Sequence, residues 1–181
     1  ACGGQFTANT MACVSEAIGL ALPLSSALPA PYLNRDEYAV ASGETVMRLI
    51  ETQLRPRDIV TLKSFENAAV VIAATGGSTN GGLHLPAMAH ECGIKFTLRD
   101  FAEIAQRTPY IADLKPGGRF VAKDMGEAGG MPMLLKTLLE GGHINGDCMT
   151  ITGKTLAENV KDVIWRDDQV VILTVSNPLS P

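Results

Sequence analysis

The sequence predicts an α/β fold, in which helices pack against a short layered sheet. Short runs of β-branched or aromatic residues alternate with longer segments of helical apolar spacing, which is typical of layered α/β domains. The 181 residues are 46% hydrophobic and 19% charged, which suits one full globular domain or one domain plus the start of another. The 18 glycines include six adjacent pairs, which fit turns between such elements.

Apolar spacing and capping residues predict four helices in the first half of the chain. The first runs from about residue 9 to residue 22, because apolar residues recur there at steps of three and four. The second spans about 35–54, with Asn34 as its N-cap. Thr61 caps a third helix, and a fourth begins at the glycine-rich turn of residues 76–80.

Short extended runs and one further helix follow in the middle of the chain. Residues 94–97 predict a strand, and a helix over 98–107 follows it. Thr97 and Asp100 have the spacing of a capping box at the start of that helix. Residues 110–114 are a second candidate strand, which ends at a Lys-Pro-Gly-Gly turn.

The last third of the chain continues the alternation. A helix is predicted over 131–140, and Thr155 caps another over about 156–163. Residues 165–168 read as a surface segment, and residues 170–175 as a last strand. These elements complete the predicted layered helix and sheet core.

Charge and cysteine usage exclude several classes of protein. The formal net charge of −4 provides no basic field for nucleic acid or for an anionic membrane, and no apolar run approaches the roughly 20 residues that span a bilayer. The cysteines have no CxxC spacing, which favours reduced thiols in a cytoplasm-like compartment over a disulfide framework. They are Cys2, Cys13, Cys92 and Cys148.

Cys2 is the first candidate site residue. It precedes Gly3 and Gly4 and a helical pattern, so its thiolate can lie near backbone N–H groups at a helix start, where negative charge is favoured. Such thiolates hold iron–sulfur clusters. A single cysteine is more often a small apolar filler, and a cluster needs several thiolates. We interpret the other three cysteines as structural.

Ser78, Thr79 and Asn80 form the second candidate site. Hydroxyls and free N–H groups at a helix start suit a carboxylate or a phosphate, although an ordinary N-cap explains the same residues equally well. The segment is not a P-loop, because no lysine follows the glycines. The three histidines are scattered, and neither a carboxylate pair nor a Ser–His–Asp arrangement occurs. By local motif the chain contains no complete catalytic set.

Taken together, the motifs resemble those of one enzyme family. Residues 2–11, CGGQFTANTM, are similar to the third cysteine motif of the dihydroxy-acid, 6-phosphogluconate and sugar-acid dehydratases. The resemblance continues in order through residues 76–80 (GGSTN), residues 112–118 (ADLKPGG) and residues 146–148 (GDC), and it covers essentially the whole chain. Gln5 departs from the methionine that is usual in this motif.

The resemblance implies a hydro-lyase that converts a 2,3-dihydroxy acid into a 2-oxo acid. The form of the first motif favours the dihydroxy-acid branch, whose substrates are precursors of valine and isoleucine, over the 6-phosphogluconate and sugar-acid branches. It implies an iron–sulfur cluster, of two-iron or four-iron type, with Cys2 as one iron ligand, and a Mg²⁺ ion whose ligands lie outside these residues. Ser78, Thr79 and Asn80 are then on the substrate side, and no catalytic acid or base is expected within the chain.

The resemblance also implies how the chain is organised. It is expected to be an interior fragment, with residues 1–164 the later part of an α/β N-terminal domain. Residues 165–181 would be a linker and the first strand of a C-terminal β-barrel domain. The parent enzyme is expected to be a homodimer or larger, in the cytoplasm or in an organelle matrix, and the fragment alone to be inactive. A stand-alone binding module without catalysis is the alternative from another class.

Overall fold

The fold, in a computed structural model that describes residues 3–28, 32 and 34–181, is mainly helical. Nine helices and one short 3₁₀ turn (Ser25–Ala27) are found among these residues. None of these helices is long and apolar enough to cross a membrane. The helices are α1 (Thr7–Ile18), α2 (Arg35–Glu51), α3 (Pro56–Ile59), α4 (Leu62–Ala74), α5 (Gly81–Glu91), α6 (Leu98–Gln106), α7 (Ala122–Glu127), α8 (Gly130–Glu140) and α9 (Leu156–Val160).

The predicted sheet is wrong for the part of the chain that the structure describes. Residues 110–114 and the C-terminal residues from 170 onward are extended and lie side by side, but they form isolated antiparallel bridges rather than strands. The hydrogen bonds between them run from Asp113 N to Val171 O, from Leu173 N to Ile111 O and from Leu179 N to Tyr110 O, at 2.8–2.9 Å.

The end of helix α4 explains why no sheet develops there. The backbone N–H groups of Ile111 and Ala112 both donate to the carbonyl oxygen of Ala74, each at 3.0 Å. These two N–H groups satisfy a carbonyl oxygen at the C-terminal end of α4 that has no partner within the helix. They are therefore not available to pair with a further strand. The segment serves as a C-terminal cap for α4 as much as a partner for residues 171–180.

Residues 94–97 also fail to form the predicted strand. They connect α5 to α6, and Phe96 packs its ring on Phe65 of α4, with centroids 5.9 Å apart. Phe96 is buried, whereas its neighbours on either side, Lys95 and Thr97, are exposed. The alternation that suggested a strand thus reflects one buried side chain, Phe96, which anchors this connection to the core.

Helix α4 is the centre of the core. It is buried around most of its circumference, as expected for a helix that other helices surround. It packs against α1, α5 and α6, while α8 packs against α1, α7 and α9. Its predicted start is confirmed, because the Thr61 hydroxyl accepts a hydrogen bond from Ser64 N and the Ser64 hydroxyl accepts one from Thr61 N.

Other predicted boundaries shift for identifiable reasons. Helix α1 ends at Ile18 rather than at residue 22, because Gly19 takes a left-handed conformation (φ 92°). A Cβ atom at Gly19 would lie 2.7 Å from the carbonyl oxygen of Met149, so the close approach also requires glycine. Asn34 precedes α2 as expected but makes no capping hydrogen bond with its side chain. Helix α7 was not predicted; Asp124 begins it by accepting from Val121 N at 2.9 Å.

The Thr61 cap gives a first testable prediction. Thr61→Ala removes the acceptor for Ser64 N, and we expect it to lower the free energy of unfolding by about 1 kcal/mol in urea denaturation. Thr61→Ser keeps a hydroxyl at the same place and should retain most of that stability. Equal losses in both variants would contradict a capping role.

The segment after α1 is held by a buried carboxylate. Glu16 is 5% exposed, and its oxygens accept hydrogen bonds from Leu24 N at 3.0 Å, from Ser26 N at 2.8 Å and from the Ser26 hydroxyl. Burial raises the pKa of Glu16 from its ordinary 4.5 to about 7, although these hydrogen bonds act in the opposite direction. The folded state therefore binds this proton more tightly than the unfolded chain does.

Glu16 should make stability depend on pH. Because its pKa is raised on folding, the free energy of unfolding should fall as pH rises from about 4.5 to about 7, by roughly 2–3 kcal/mol. Glu16→Gln removes the titration while keeping the side-chain volume. We expect the wild-type chain to lose stability relative to this variant between pH 5 and pH 8 in urea denaturation. Parallel pH profiles would contradict this assignment.

Candidate functional site at the start of helix α1

The segment that leads into α1 lies against the turn of residues 115–118. Gln5 N donates to the carbonyl oxygen of Lys115 at 2.6 Å, and Gly4 is buried beside it. A Cβ atom at Gly4 would lie 2.7 Å from that same oxygen, so only glycine allows the approach. Cys2 lies outside the described residues, and Gly3, its neighbour, is exposed. Gly4, two residues after Cys2 in the sequence, is thus held against the turn of residues 115–118.

Gln5 is the polar centre of this region. Its side chain is 1% exposed, and its Nε2 donates to Thr75 Oγ1 at 3.0 Å. Its Oε1 accepts from Asn9 Nδ2 at 2.6 Å, and Cys13 Sγ lies 4.0 Å from the same oxygen. Buried amides are stable only when their donors and acceptors are paired in this way. Gln5 therefore ties the first residues of the chain to α1 and to the end of α4.

The turn of residues 76–80 is joined to α1 by hydroxyl groups. Thr10 Oγ1 donates to Gln5 O at 3.1 Å and accepts from Ser78 N at 3.0 Å. The Thr7 and Ser78 hydroxyls are 3.2 Å apart, and Asn80 Nδ2 donates to Thr7 Oγ1 at 2.7 Å and to Ser78 Oγ at 3.1 Å. Two segments about 70 residues apart in sequence thus meet in one hydrogen-bonded cluster.

Several N–H groups of this turn already have partners within the chain. Besides Ser78 N, Asn80 N donates to Ser78 Oγ at 3.3 Å, and Gly81 N and Gly82 N donate to the carbonyl oxygens of Ser78 and Thr79, each at 3.0 Å. Thr79 and Asn80 are exposed, and Ser78 is half-buried. Any ligand here would therefore meet side-chain hydroxyl and amide groups more than free backbone N–H groups. The substrate-side role of these residues stays a prediction.

The segment of residues 112–118 is fixed by an ion pair between the buried Asp113 and the exposed Arg119. Asp113 is 4% exposed, its Oδ1 accepts from Arg119 N at 3.0 Å, and its Oδ2 pairs with Arg119 Nε. The Arg119 guanidinium also lies 5.1 Å above the ring of Phe120. The ring of Tyr110 packs on Gly76, and its hydroxyl is buried without a hydrogen-bond partner among the described residues. Tyr110 thereby brings the turns of residues 76–80 and 115–118 together.

The three cysteines within the described residues behave as packing groups. Cys13 is 2% exposed, and its burial raises its pKa to about 11, while burial also raises the pKa of Cys148. All three are free thiols. No group of three His, Cys, Asp or Glu side chains in the described part of the chain is placed to hold a metal ion. These residues alone therefore do not form a site for a cluster.

Sequence reasoning assigned roles to Cys2 and to residues 78–80 and missed the residues that connect them. Gln5, Thr7, Asn9 and Thr10 form the connection, and the sequence carried a signal for part of it. Thr7 and Thr10 are three residues apart, so they lie on one face of α1. Their polarity on a face next to the buried residues Cys13 and Val14 indicated a polar partner inside the fold.

Comparison with known proteins shows the family to which the chain belongs. Residues 1–159 match the family model described as dihydroxy-acid/6-phosphogluconate dehydratase N-terminal. The chain is 67% identical over 181 residues to a dihydroxy-acid dehydratase of Parvibaculum lavamentivorans, covering all of this chain and 31% of that protein. It is 66% identical over 181 residues to one of Pelagibacter ubique, again covering all of this chain and 32% of the relative.

A further relative, dihydroxy-acid dehydratase 2 of Bradyrhizobium diazoefficiens, is 63% identical over 180 residues, which cover 99% of this chain and 31% of that protein. The chain thus spans about a third of the length of the curated relatives that it matches. The resemblance that the motifs indicated is confirmed over nearly the whole chain. This chain belongs to the dihydroxy-acid/6-phosphogluconate dehydratase family and matches its N-terminal domain.

Proposed function

We propose that the chain is part of a longer dihydroxy-acid dehydratase, a hydro-lyase that removes water from a 2,3-dihydroxy acid to give a 2-oxo acid. One observation supports this most: the residues around Gln5, the turn of residues 76–80 and the turn of residues 115–118, which are far apart in sequence, meet at the start of α1. These are the segments that carry the family resemblance.

Substrates of the branched-chain amino-acid pathway fit this proposal best. The relatives at 63–67% identity are named dihydroxy-acid dehydratases. The matched family also includes 6-phosphogluconate dehydratases, so 6-phosphogluconate and sugar acids are the competing substrates. We therefore propose the dihydroxy precursors of valine and isoleucine as substrates.

The cofactors belong to the longer enzyme. The described residues provide no ligand set for a metal, so an iron–sulfur cluster would need Cys2 together with ligands from elsewhere in the polypeptide. We propose that Cys2 is one iron ligand because of its place in the motif, two residues before the buried Gly4. Mg²⁺ ligands are likewise expected outside this chain.

The residues of this chain would position groups rather than transfer protons. Gln5 and Thr10 fix the backbone at the entrance to α1, three residues after Cys2 in the sequence, through buried hydrogen bonds. Ser78, Thr79 and Asn80 present hydroxyl and amide groups beside Thr7, and we propose that they orient the polar end of the substrate. Neutral donors of this kind suit a carboxylate or a hydroxyl group.

The wider organisation is part of the same proposal. Residues 1–164 would form the later part of the N-terminal domain, and residues 165–181 a linker and first strand that lead into a C-terminal barrel. The full enzyme would be a homodimer or a larger homo-oligomer, in the cytoplasm or in an organelle matrix.

Turnover by the full-length protein tests the proposed activity. The purified parent enzyme should form 2-oxo acid from the dihydroxy precursor of valine at a higher kcat/KM than from 6-phosphogluconate or an aldonate. The 181-residue chain assayed alone should form none. A preference for 6-phosphogluconate or an aldonate would move the enzyme to another branch of the family, and inactivity on all three would refute the proposal.

A further inference from the structure

Helix α2 presents an apolar face away from the rest of the fold. Val40, Met47 and Ile50 are 63%, 58% and 64% exposed, although side chains of this kind are usually buried. The opposite side of the helix faces the body, because Thr45 is 6% exposed and Arg48 Nη2 donates to the carbonyl oxygen of Ile151 at 3.1 Å. The helix therefore meets the described part of the fold on this side, while its apolar face is left open.

The spacing of this face is that of a helix–helix seam. Val40, Gly43, Met47 and Ile50 follow one another at steps of three, four and three, which is the repeat of the apolar positions in a coiled coil. Open space surrounds Gly43, where an added Cβ atom would meet nothing within 4 Å. A gap beside a large Met47 is a shape that a knob from a second helix can fill. We call these four residues the α2 seam.

Charge indicates the chemistry of the partner. Glu37, Glu44 and Glu51 are spaced by seven residues and form an exposed acidic row along one side of the seam, while Ala39 and Val46 line the other side. In an antiparallel pair of two identical α2 helices, the acidic rows would face each other, which is unfavourable. A helix with Lys or Arg beside its own apolar seam would neutralise the row.

We propose that the α2 seam is covered by a helix from the remaining part of the longer polypeptide, with an apolar face flanked by basic side chains. This inference rests on the proposal that the chain is part of a longer enzyme, since its relatives are about three times its length. A covering helix within the same polypeptide is present at fixed stoichiometry, as a permanent apolar contact requires.

Thiol labelling of the full-length enzyme tests the proposal. Met47→Cys places a thiol in the seam, and Ser42→Cys places one on the same helix at an exposed position outside it. With N-ethylmaleimide and peptide mass spectrometry, Cys at 47 should react at least about tenfold more slowly than Cys at 42, at every protein concentration. Equal rates would overturn the proposal. Protection that disappears on dilution would overturn it in favour of a second copy.

The acidic row provides a second, independent measurement. Glu44→Lys combined with Met47→Cys should speed labelling at 47 several-fold, with Glu44→Gln intermediate, because a basic partner is then repelled. Glu91→Lys, an exposed acid on α5, is the matched control and should leave the rate unchanged. Unchanged labelling in Glu44→Lys would refute the basic partner. These readouts do not depend on turnover, so a failure of the proposed activity would be seen separately.

Discussion

Replacing Cys2 by serine in the full-length enzyme is expected to abolish turnover and the visible absorbance of the iron–sulfur cluster that we propose Cys2 to ligate. A serine hydroxyl stays protonated near neutral pH and is a poor ligand for cluster iron, whereas thiolates are the usual ligands. Even changes around a metal's ligands cost roughly 10–100-fold, so the loss of a ligand should exceed about 100-fold in kcat. Absorbance and 2-oxo acid formation measure the two effects.

Cys92→Ser is the matched control for this prediction. Cys92 is a half-buried free thiol near the end of α5, and we expect its replacement to leave both absorbance and turnover close to wild type. Cys13 is less suitable as a control, because a hydroxyl in its buried position would disturb the contact with Gln5. Full cluster content in Cys2→Ser would refute the role of Cys2.

Gly118→Ala should be among the most destabilising substitutions in the chain. A Cβ atom at Gly118 would lie 2.4 Å from both the backbone carbon and Oδ1 of Asp113, which is itself buried and paired with Arg119. Backbone and a paired carboxylate cannot move aside cheaply, so we expect a loss of about 3 kcal/mol or more in the free energy of unfolding. Urea denaturation of the purified chain measures it.

The neighbouring glycine provides the control. At Gly117 an added Cβ atom would have the Tyr110 hydroxyl as its nearest neighbour, at 3.6 Å, which is an ordinary contact. Gly117→Ala should therefore change stability by less than about 1 kcal/mol. Similar losses at both positions would show that general flexibility of the turn, and not the clash with Asp113, determines its stability.

Helix starts could be predicted where the signal is local. Thr61, Thr97 and Thr155 each cap the helix that was predicted to follow them, because a cap depends on residues three positions apart. Asn34 has the right residue type and yet its side chain makes no capping hydrogen bond, and α7 follows Val121, which carries no capping side chain. Helix ends that depend on tertiary contacts, such as Gly19 against Met149, could not be found locally.

The predicted strands show where periodicity is insufficient. Residues 110–114 are extended, as predicted, but their N–H groups are divided between the Ala74 carbonyl and the C-terminal segment. Which acceptor an extended segment finds is decided by distant residues, and no local pattern encodes it. The short alternation at 94–97 similarly reflects a single anchor, Phe96 against Phe65.

The motifs of the candidate site could be predicted from the sequence, whereas the hydrogen bonds that connect them could not. The glycine-rich segments that carry the family resemblance do meet, but the residue that joins them is Gln5, which had been noted only as a departure from the usual methionine. Its buried amide depends on Asn9 and Thr75, and four helices, α1 to α4, lie in the sequence between positions 5 and 75. Such a match becomes visible only when the fold brings the partners together.

The long separations within the site bear on the order in which this chain folds. Thr10 and Ser78 are 68 residues apart, and Gln5 and Thr75 are 70 apart, whereas the Thr61 cap joins residues three positions apart. Closing a long loop costs entropy before its contacts repay it, so local helices form first. We expect α4 and α6 to appear early and the hydrogen bonds around Gln5 to form late. A chain still emerging from the ribosome would thus hold its helices before its site.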